Sequence, residues 1–269
     1  MLDNYTLKVP AKINLFLKIL NKRKDGFHNI RSGVTFINLY DKVNIRKKEN
    51  MNIVYYGKFK PNKNFYTDCI IQKTLKYLKL NSDVNFEINI EKNIPTQAGL
   101  GSASTNAAGL IKCLIKMNLI EMKNNKFYSQ IGSDIPVCLF GKNSIITGIG
   151  EQVKQTTFPK YYILLVKPNI NLSTKNMYNK ISNNIRFNYN TKDQDKVNDF
   201  EKIAIVDNDE IKKILTSLSN SEDVIFARMT GSGSCCYAVY SKIEYAEKAK
   251  RKFNEDFPDL WTFVGENNI

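Results

Sequence analysis

The segment Ile94 to Leu114, IPTQAGLGSASTNAAGLIKCL, sets a glycine- and hydroxyl-rich loop directly in front of a helical pattern. Backbone N–H groups at such a junction, and the positive end of the helix behind them, attract an anion, so phosphate binding is the first chemistry suggested. Gly99 and Gly101 permit a close backbone approach that a Cβ would block. Ser102, Ser104 and Thr105 either cap the helix or touch a phosphate. A plain glycine loop with an ordinary N-cap is the alternative. Two familiar patterns do not match. The Walker motif requires Lys followed by Ser or Thr where Ser102-Ala103 stand, and the dinucleotide fingerprint requires Gly or Ala where Ser104 stands.

The elements that would hold this loop are legible on both sides. Val84, Phe86, Ile88 and Ile90 alternate with polar partners, the period of a half-buried strand. Ala107, Leu110, Ile111, Leu114, Ile115 and Leu119 recur at helical spacing. Earlier in the chain, Val9, Ala11, Ile13, Leu15 and Leu17 alternate with Lys8, Lys12, Asn14, Phe16 and Lys18, a strand with two distinct faces on which Lys12 and Asn14 point the same way. Asp25-Gly26 is a turn signal that reverses this strand into a second one. Further on, Tyr162 to Val166 reads as a buried strand, Ile211 to Leu218 and Ile243 to Phe253 as amphipathic helices, and Thr230 to Ser234 as a second glycine loop before a strand from Cys235 to Tyr240. The Asn- and Lys-rich interval Asn183 to Asn198 reads as a mobile insertion.

Composition narrows the function classes. With 269 residues and 42% apolar content the chain can bury substantial cores, and its length suggests two domains. No apolar run approaches the roughly 20 residues needed to cross a bilayer, and MLDNYTLKVP lacks the apolar region of a signal peptide; a soluble cytoplasmic protein is expected. The five cysteines, Cys69, Cys113, Cys138, Cys235 and Cys236, show no CxxC spacing and suggest neither disulfides nor zinc. The net charge of +14 admits a nucleic-acid surface or an anionic substrate, but the lysines are scattered rather than gathered in one basic run, which argues against nucleic acid.

The residues around the loop resemble the GHMP kinase superfamily, whose phosphate loop is matched by Pro95, Gly99, Leu100, Gly101, Ser102, Ala103 and Ser104, with Thr105 following. Within it, PAKINLFLKILNKRKDGFHNI, IGSDIPVCLFGKNSIITGIGE, VKPNINLSTKNMY, NDFE and ARMTGSGSCCYAVY resemble, in order, the branch that acts on a cytidyl diphosphate sugar alcohol. The resemblance implies an α+β, two-lobed fold with the active site in the cleft, divided into residues 1–155, which bind ATP, and 156–269. It implies transfer of the γ-phosphoryl group of ATP to the 2-hydroxyl of 4-diphosphocytidyl-2-C-methylerythritol, in the non-mevalonate route to isoprenoid precursors, with Mg²⁺ neutralising the phosphates. No metal ligand is singled out, although Ser102 and Ser104 are candidates.

Residue by residue, Lys12 matches the family's phosphoryl-transfer lysine and Asn14 a polar residue near the substrate. Asp134, flanked by apolar residues before Pro136, needs a nearby cation, and Lys12 is the expected partner. Asp134 then accepts or orients the proton of the substrate hydroxyl. The alternative is a helix cap or turn residue. His28, the sole histidine, matches the residue that hydrogen-bonds cytosine, with Phe27 where Tyr is common; Tyr178, four residues beyond Thr174, matches the second aromatic of a cytosine clamp. Thr174, Gly231, Ser232 and Gly233 are implied in binding the substrate. The rivals are another GHMP kinase, of homoserine or mevalonate type, or a silent nucleotide-binding protein on the same scaffold, as monomer or homodimer.

Overall fold

A computed structural model describes residues 4–62, 69–80, 85–181 and 197–267. Strands β1 (Asn4–Lys22) and β2 (His28–Lys48) form a long antiparallel hairpin that closes at the expected Asp25-Gly26 turn, where Arg23 N–H donates to the Phe27 carbonyl at 2.7 Å. There follow β3 (Asn52–Tyr56), α1 (Ile70–Leu78), β4 (Asn85–Glu91), α2 (Ser102–Lys116), α3 (Asn125–Ser129), α4 (Ile135–Phe140), β5 (Ser144–Gly148) and β6 (Gln152–Gln155). The first sheet runs β3-β4-β2-β5-β6 with β1 paired along β2, and only β3 and β4 are parallel.

The second sheet is built later in the chain. After β7 (Tyr162–Lys167) come α5 (Thr174–Asn179), α6 (Asp199–Asp207), α7 (Asp209–Ser219), β8 (Phe226–Met229), β9 (Cys236–Tyr240), α8 (Ile243–Asp256) and β10 (Trp261–Glu266). Its order is β10-β7-β9-β8, antiparallel throughout. Ala11, Ile13, Leu15 and Ile37 of the first sheet pack with Ile163, Leu165, Tyr237 and Val239 of the second, joined by Ala98 and Leu100 of the glycine loop. The loop therefore sits at the seam between the sheets, its apolar side chains inside the core and its backbone left for other work. Each buried Ile, Leu or Val among them is worth about 1.5–3 kcal/mol of burial free energy.

Strand β1 is covered on both faces, which overrides the ordinary expectation that a strand lysine is solvated. Lys12, Asn14, Phe16 and Lys18 are as buried as Ala11 and Ile13. Register shifts at Pro10/Ala11 and Asn14/Phe16 bend the strand here, as bulges do where a strand re-aims side chains.

Two boundary expectations need correction, and two stretches fall outside the described residues. The helix over the loop ends at Lys116 and not at Leu119, because Asn118 turns the chain at a φ of 56°. Of the interval Asn183 to Asn198, residues 183–196 lie outside the described residues, as does Val84 of the expected strand. Asn198 itself is not part of an insertion but the buried N-cap of α6.

Candidate active site

The phosphate loop meets α2 in an unusual way for a capped helix. Its N-cap is Gly101, at a φ of 66°, and no side chain caps the helix. The Thr105 hydroxyl donates back to the Ser102 carbonyl at 3.1 Å, and the Ser102 hydroxyl turns into the protein interior. The expected capping role of these two hydroxyls is thus corrected. Ser104 is only half-buried, and its Oγ lies 3.9 Å from where a Cβ on Gly132 would stand. The first-turn N–H groups, not hydroxyl caps, are what the loop offers an anion.

Glycine is required where the loop is tightest. A Cβ on Gly99, which has a φ of 72°, would stand 2.1 Å from the Thr230 carbonyl oxygen, and one on Gly101 would press on the Lys12 side chain at 3.0 Å. The loop is tied to its surroundings through its own carbonyls: Leu100 accepts from Lys12 N–H at 2.9 Å and Ala98 from Cys235 N–H at 3.1 Å. Pro95 is buried beneath it, and Ala103 is exposed at its rim.

Lys12 and Asp134 meet beside this loop. Their charged atoms are 2.9 Å apart, with Lys12 only 3% exposed and Asp134 29% exposed. The Lys12 ammonium also donates to Asn14 Oδ1 at 2.8 Å, and Asn14 Nδ2 donates to Ser32 Oγ at 2.8 Å, so the lysine is fixed from two sides. Asp134 occupies the N-cap position of α4, yet its carboxylate makes no cap hydrogen bond. It is paired with Lys12 and remains partly open to solvent. A carboxylate so placed beside a fixed ammonium can take or orient a hydroxyl proton.

The second glycine loop joins β8 to β9 and closes over the same place. Thr230 Oγ1 accepts from Asn14 N–H at 3.0 Å and donates to the Gly99 carbonyl at 3.3 Å, linking both loops to β1. Ser232 and Thr174 share a hydrogen bond of 2.7 Å. Further out, His28 stacks on Tyr178 with centroids 5.0 Å apart and planes 22° apart, and Phe200 meets Tyr178 edge-on at 4.8 Å. Burial, reinforced by the Asp134 charge, pushes the Tyr178 phenol up to about 12. Burial, with Lys22 adding repulsion, holds His28 below its ordinary value and therefore neutral near pH 7. The structure brings His28 and Tyr178 together but leaves Phe27 58% exposed at the hairpin tip.

Residues 67–142 match the GHMP kinases N terminal domain and residues 178–259 the GHMP kinases C terminal family. The 4-diphosphocytidyl-2-C-methyl-D-erythritol kinase of Pelagibacter ubique is 34% identical over 277 residues, covering 97% of this chain and 98% of that one. The chain belongs to the 4-diphosphocytidyl-2-C-methyl-D-erythritol kinase branch of the GHMP kinases. A solved 4-(cytidine 5'-diphospho)-2C-methyl-D-erythritol kinase shares its fold at a TM-score of 0.81 and 20% identity, over 98% of this chain and 99% of that one. The Methanococcus jannaschii mevalonate kinase shares it at 0.63 and 18% identity, over 99% of both chains. The fold is thus common to several GHMP kinases.

In this GHMP kinase the sequence reading missed the group that anchors the phosphate loop. The buried Asp41 carboxylate accepts from Asn93 N–H at 2.7 Å and Ile94 N–H at 2.8 Å, just ahead of the loop. It also accepts from Ser102 Oγ at 3.0 Å and Asn106 Nδ2 at 2.8 Å, just behind it. Lys92 supplies the counter-charge and donates to Asn106 Oδ1 at 2.9 Å as well. Burial lowers the Lys92 pKa, and the Asp41 charge opposes that shift. A signal for these residues was present: Asp41 falls in the alternation Leu39, Val43, Ile45, and Lys92 in that of Phe86, Ile88, Ile90, polar residues in register with buried apolar faces.

Proposed function

We propose that this kinase transfers the γ-phosphoryl group of ATP to the 2-hydroxyl of 4-diphosphocytidyl-2-C-methyl-D-erythritol, giving the 2-phosphate and ADP, in the non-mevalonate pathway to isoprenoid precursors. One observation carries the reading: the Lys12–Asp134 pair, at 2.9 Å, lies between the bare N-terminus of α2 and the His28–Tyr178 stack. Phosphates belong at the first, a pyrimidine at the second, and the reacting hydroxyl in between.

In the transfer, the substrate hydroxyl gives its proton to Asp134 as its oxygen bonds to the γ-phosphorus, and the bond from that phosphorus to the bridging oxygen breaks with its electron pair leaving on ADP. Lys12 holds Asp134 in place and stabilises the charge that develops. The N–H groups of Ser102 to Ser104 and the backbone from Gly99 to Gly101 cradle the ATP phosphates, and Thr105 N–H closes the first turn on the Gly101 carbonyl at 2.9 Å. Gly231, Ser232 and Gly233 hold the substrate diphosphate, with Thr174 fixing Ser232. Neutral His28 hydrogen-bonds the cytosine while Tyr178 and Phe27 supply aromatic surface.

Among the described residues no three His, Cys, Asp or Glu side chains gather into a metal cage. The residues present would suit Mg²⁺ arriving on the nucleotide and keeping most of its waters, with the half-buried Ser104 hydroxyl as the oxygen donor beside the loop. When bound, Mg²⁺ neutralises charge on the transferred phosphates. Residues 1–155 form the nucleotide-binding domain in this reading and 156–269 its partner. No helix of the described residues is long and apolar enough to cross a membrane, and we place the enzyme in the cytoplasm as a monomer or homodimer.

The test is ADP release from ATP and Mg²⁺ with the cytidyl substrate, homoserine or mevalonate. Turnover is expected with the cytidyl substrate alone, falling about 10²–10⁴-fold in Asp134→Asn as a lost general base does. Turnover with another alcohol overturns the substrate; none with any of the three overturns the kinase reading in favour of a silent binding protein.

A further inference from the structure

The tetrapeptide Asn198-Asp199-Phe200-Glu201 has no part in the chemistry above, yet its polar side chains all reach the elements that frame the substrate. Asn198 is buried, and its Nδ2 donates to the Met229 carbonyl at 2.7 Å and to the Gly231 carbonyl at 2.8 Å. The Glu201 carboxylate accepts from Met229 N–H at 2.7 Å. Asp199 Oδ2 accepts from Ile19 N–H at 2.7 Å, and Val197 accepts from Leu17 N–H at 2.8 Å, so the start of α6 is docked on β1. We infer that Asn198 and Glu201 are positioning residues, a brace behind the second glycine loop that sets its backbone for the substrate diphosphate.

The geometry separates this role from an ordinary helix cap. Asn198 does cap α6, through Oδ1, which accepts from Phe200 N–H at 3.1 Å. An aspartate would cap equally well and would be favoured by the helix dipole. Capping alone therefore makes Asn198→Asp neutral or stabilising. The brace requires the amide, because a carboxylate would set an acceptor against two carbonyl oxygens and leave both without a donor. On the other side of the braced turn, Thr230 binds Asn14 and Gly99. Asn198 thus holds from behind a loop that contacts both β1 and the phosphate loop in front.

Glu201 supplies an internal control. Its contact with the loop is one acceptor oxygen on the Met229 N–H, and burial raises its pKa against the opposing pull of that N–H. Glu201→Gln keeps that oxygen and is expected to behave as wild type, whereas Glu201→Leu removes it.

This inference rests on the substrate assignment above, so its test carries two readouts. The first is steady-state kinetics of the full chain: Asn198→Asp is expected to raise KM for the cytidyl substrate about tenfold, the cost of losing two loop hydrogen bonds, with KM for ATP within about twofold. The second, independent of any substrate, is amide hydrogen exchange. Protection of residues 230–235 is expected to fall in Asn198→Asp and Glu201→Leu but not in Glu201→Gln, while residues 102–116 keep theirs. Should Asn198→Asp fail to fold, Asn198→Ser removes the amide and keeps a cap. Unchanged exchange at 230–235, or an equal rise in both KM values, overturns the brace. Altered exchange with no turnover of the cytidyl substrate by the wild type keeps the brace and discards the substrate.

Discussion

The two glycine loops meet each other beside β1 but are held from behind by different kinds of chemistry. The phosphate loop is pinned at both ends by one buried carboxylate, Asp41, balanced by buried Lys92. The loop from Thr230 to Ser234 is held from behind by the neutral amide of Asn198 and by the acceptor oxygen of Glu201. A charged anchor is stiff and unforgiving, because losing either partner strands a charge in a medium that cannot solvate it. A neutral anchor is worth about 1 kcal/mol per hydrogen bond and can yield without collapse. The difference fits the ligands assigned to each side. In that assignment the nucleotide side would receive the same phosphates at every turnover, whereas the other side would admit the substrate, release it phosphorylated, and recover its shape.

The largest effect that would sharpen this contrast is expected at Asp41. Asp41→Asn leaves Lys92 buried beside neutral groups and should cost about 3–5 kcal/mol in unfolding free energy, the range for breaking a buried pair, read by chemical denaturation. Adding Lys92→Met to that variant should restore part of the loss, since an apolar chain of similar length needs no partner. A loss at Asp41 no larger than that of the Asn198 variants would break the comparison, since it would mean the network carries no more of the fold than two neutral hydrogen bonds.

Next in size is the link between the loops. Thr230 is fully buried, and its hydroxyl both accepts from Asn14 N–H and donates to the Gly99 carbonyl. Thr230→Val keeps the shape and removes both bonds, for an expected loss of about 1–3 kcal/mol. If the loops are coupled through this hydroxyl, hydrogen exchange should quicken on both sides, in residues 98–101 and 230–235. Quickening on one side only would show that they are anchored separately.

Much of this site could be read before the structure, and the part that could not has a common cause. The phosphate loop, the Lys12 strand, the Asp-Gly hairpin and the amphipathic helices are local patterns, each visible within a few residues. Lys12 and Asn14 were placed on one face by alternation alone, and their hydrogen bond follows from it. Periodicity could not reveal that both faces of β1 are covered, which is a property of two sheets and several helices packing together. Asp41 and Lys92 lie 51 residues apart in sequence and recognise each other only after β2 and β4 have paired. The brace at Asn198 likewise depends on α6 docking against β1. Polar residues that interrupt an apolar stripe are the sequence trace of such networks, although the stripe does not say which residues will answer one another.

The smallest effect concerns pH and should be confined to the substrate side. His28 has a pKa below the ordinary 6.5 because burial disfavours its cation and Lys22 repels it. The unfolded chain therefore takes up the proton first, and the folded state loses stability as pH drops below about 6.5, with nothing to gain above that value. Protonation would also set a cation in the stack with Tyr178, where the assigned cytosine contact uses the neutral ring. KM for the cytidyl substrate should then be flat from mildly alkaline pH down to about 6.5 and climb only below it. His28→Gln has no such titration, so the wild-type-to-variant ratio of KM isolates the imidazole from ionisation of the substrates themselves. The same ratio for ATP should stay constant. An equal pH trend in both ratios would place the titrating group within reach of the phosphate loop, and the division between a charged nucleotide side and a neutral, adaptable substrate side would fail with it.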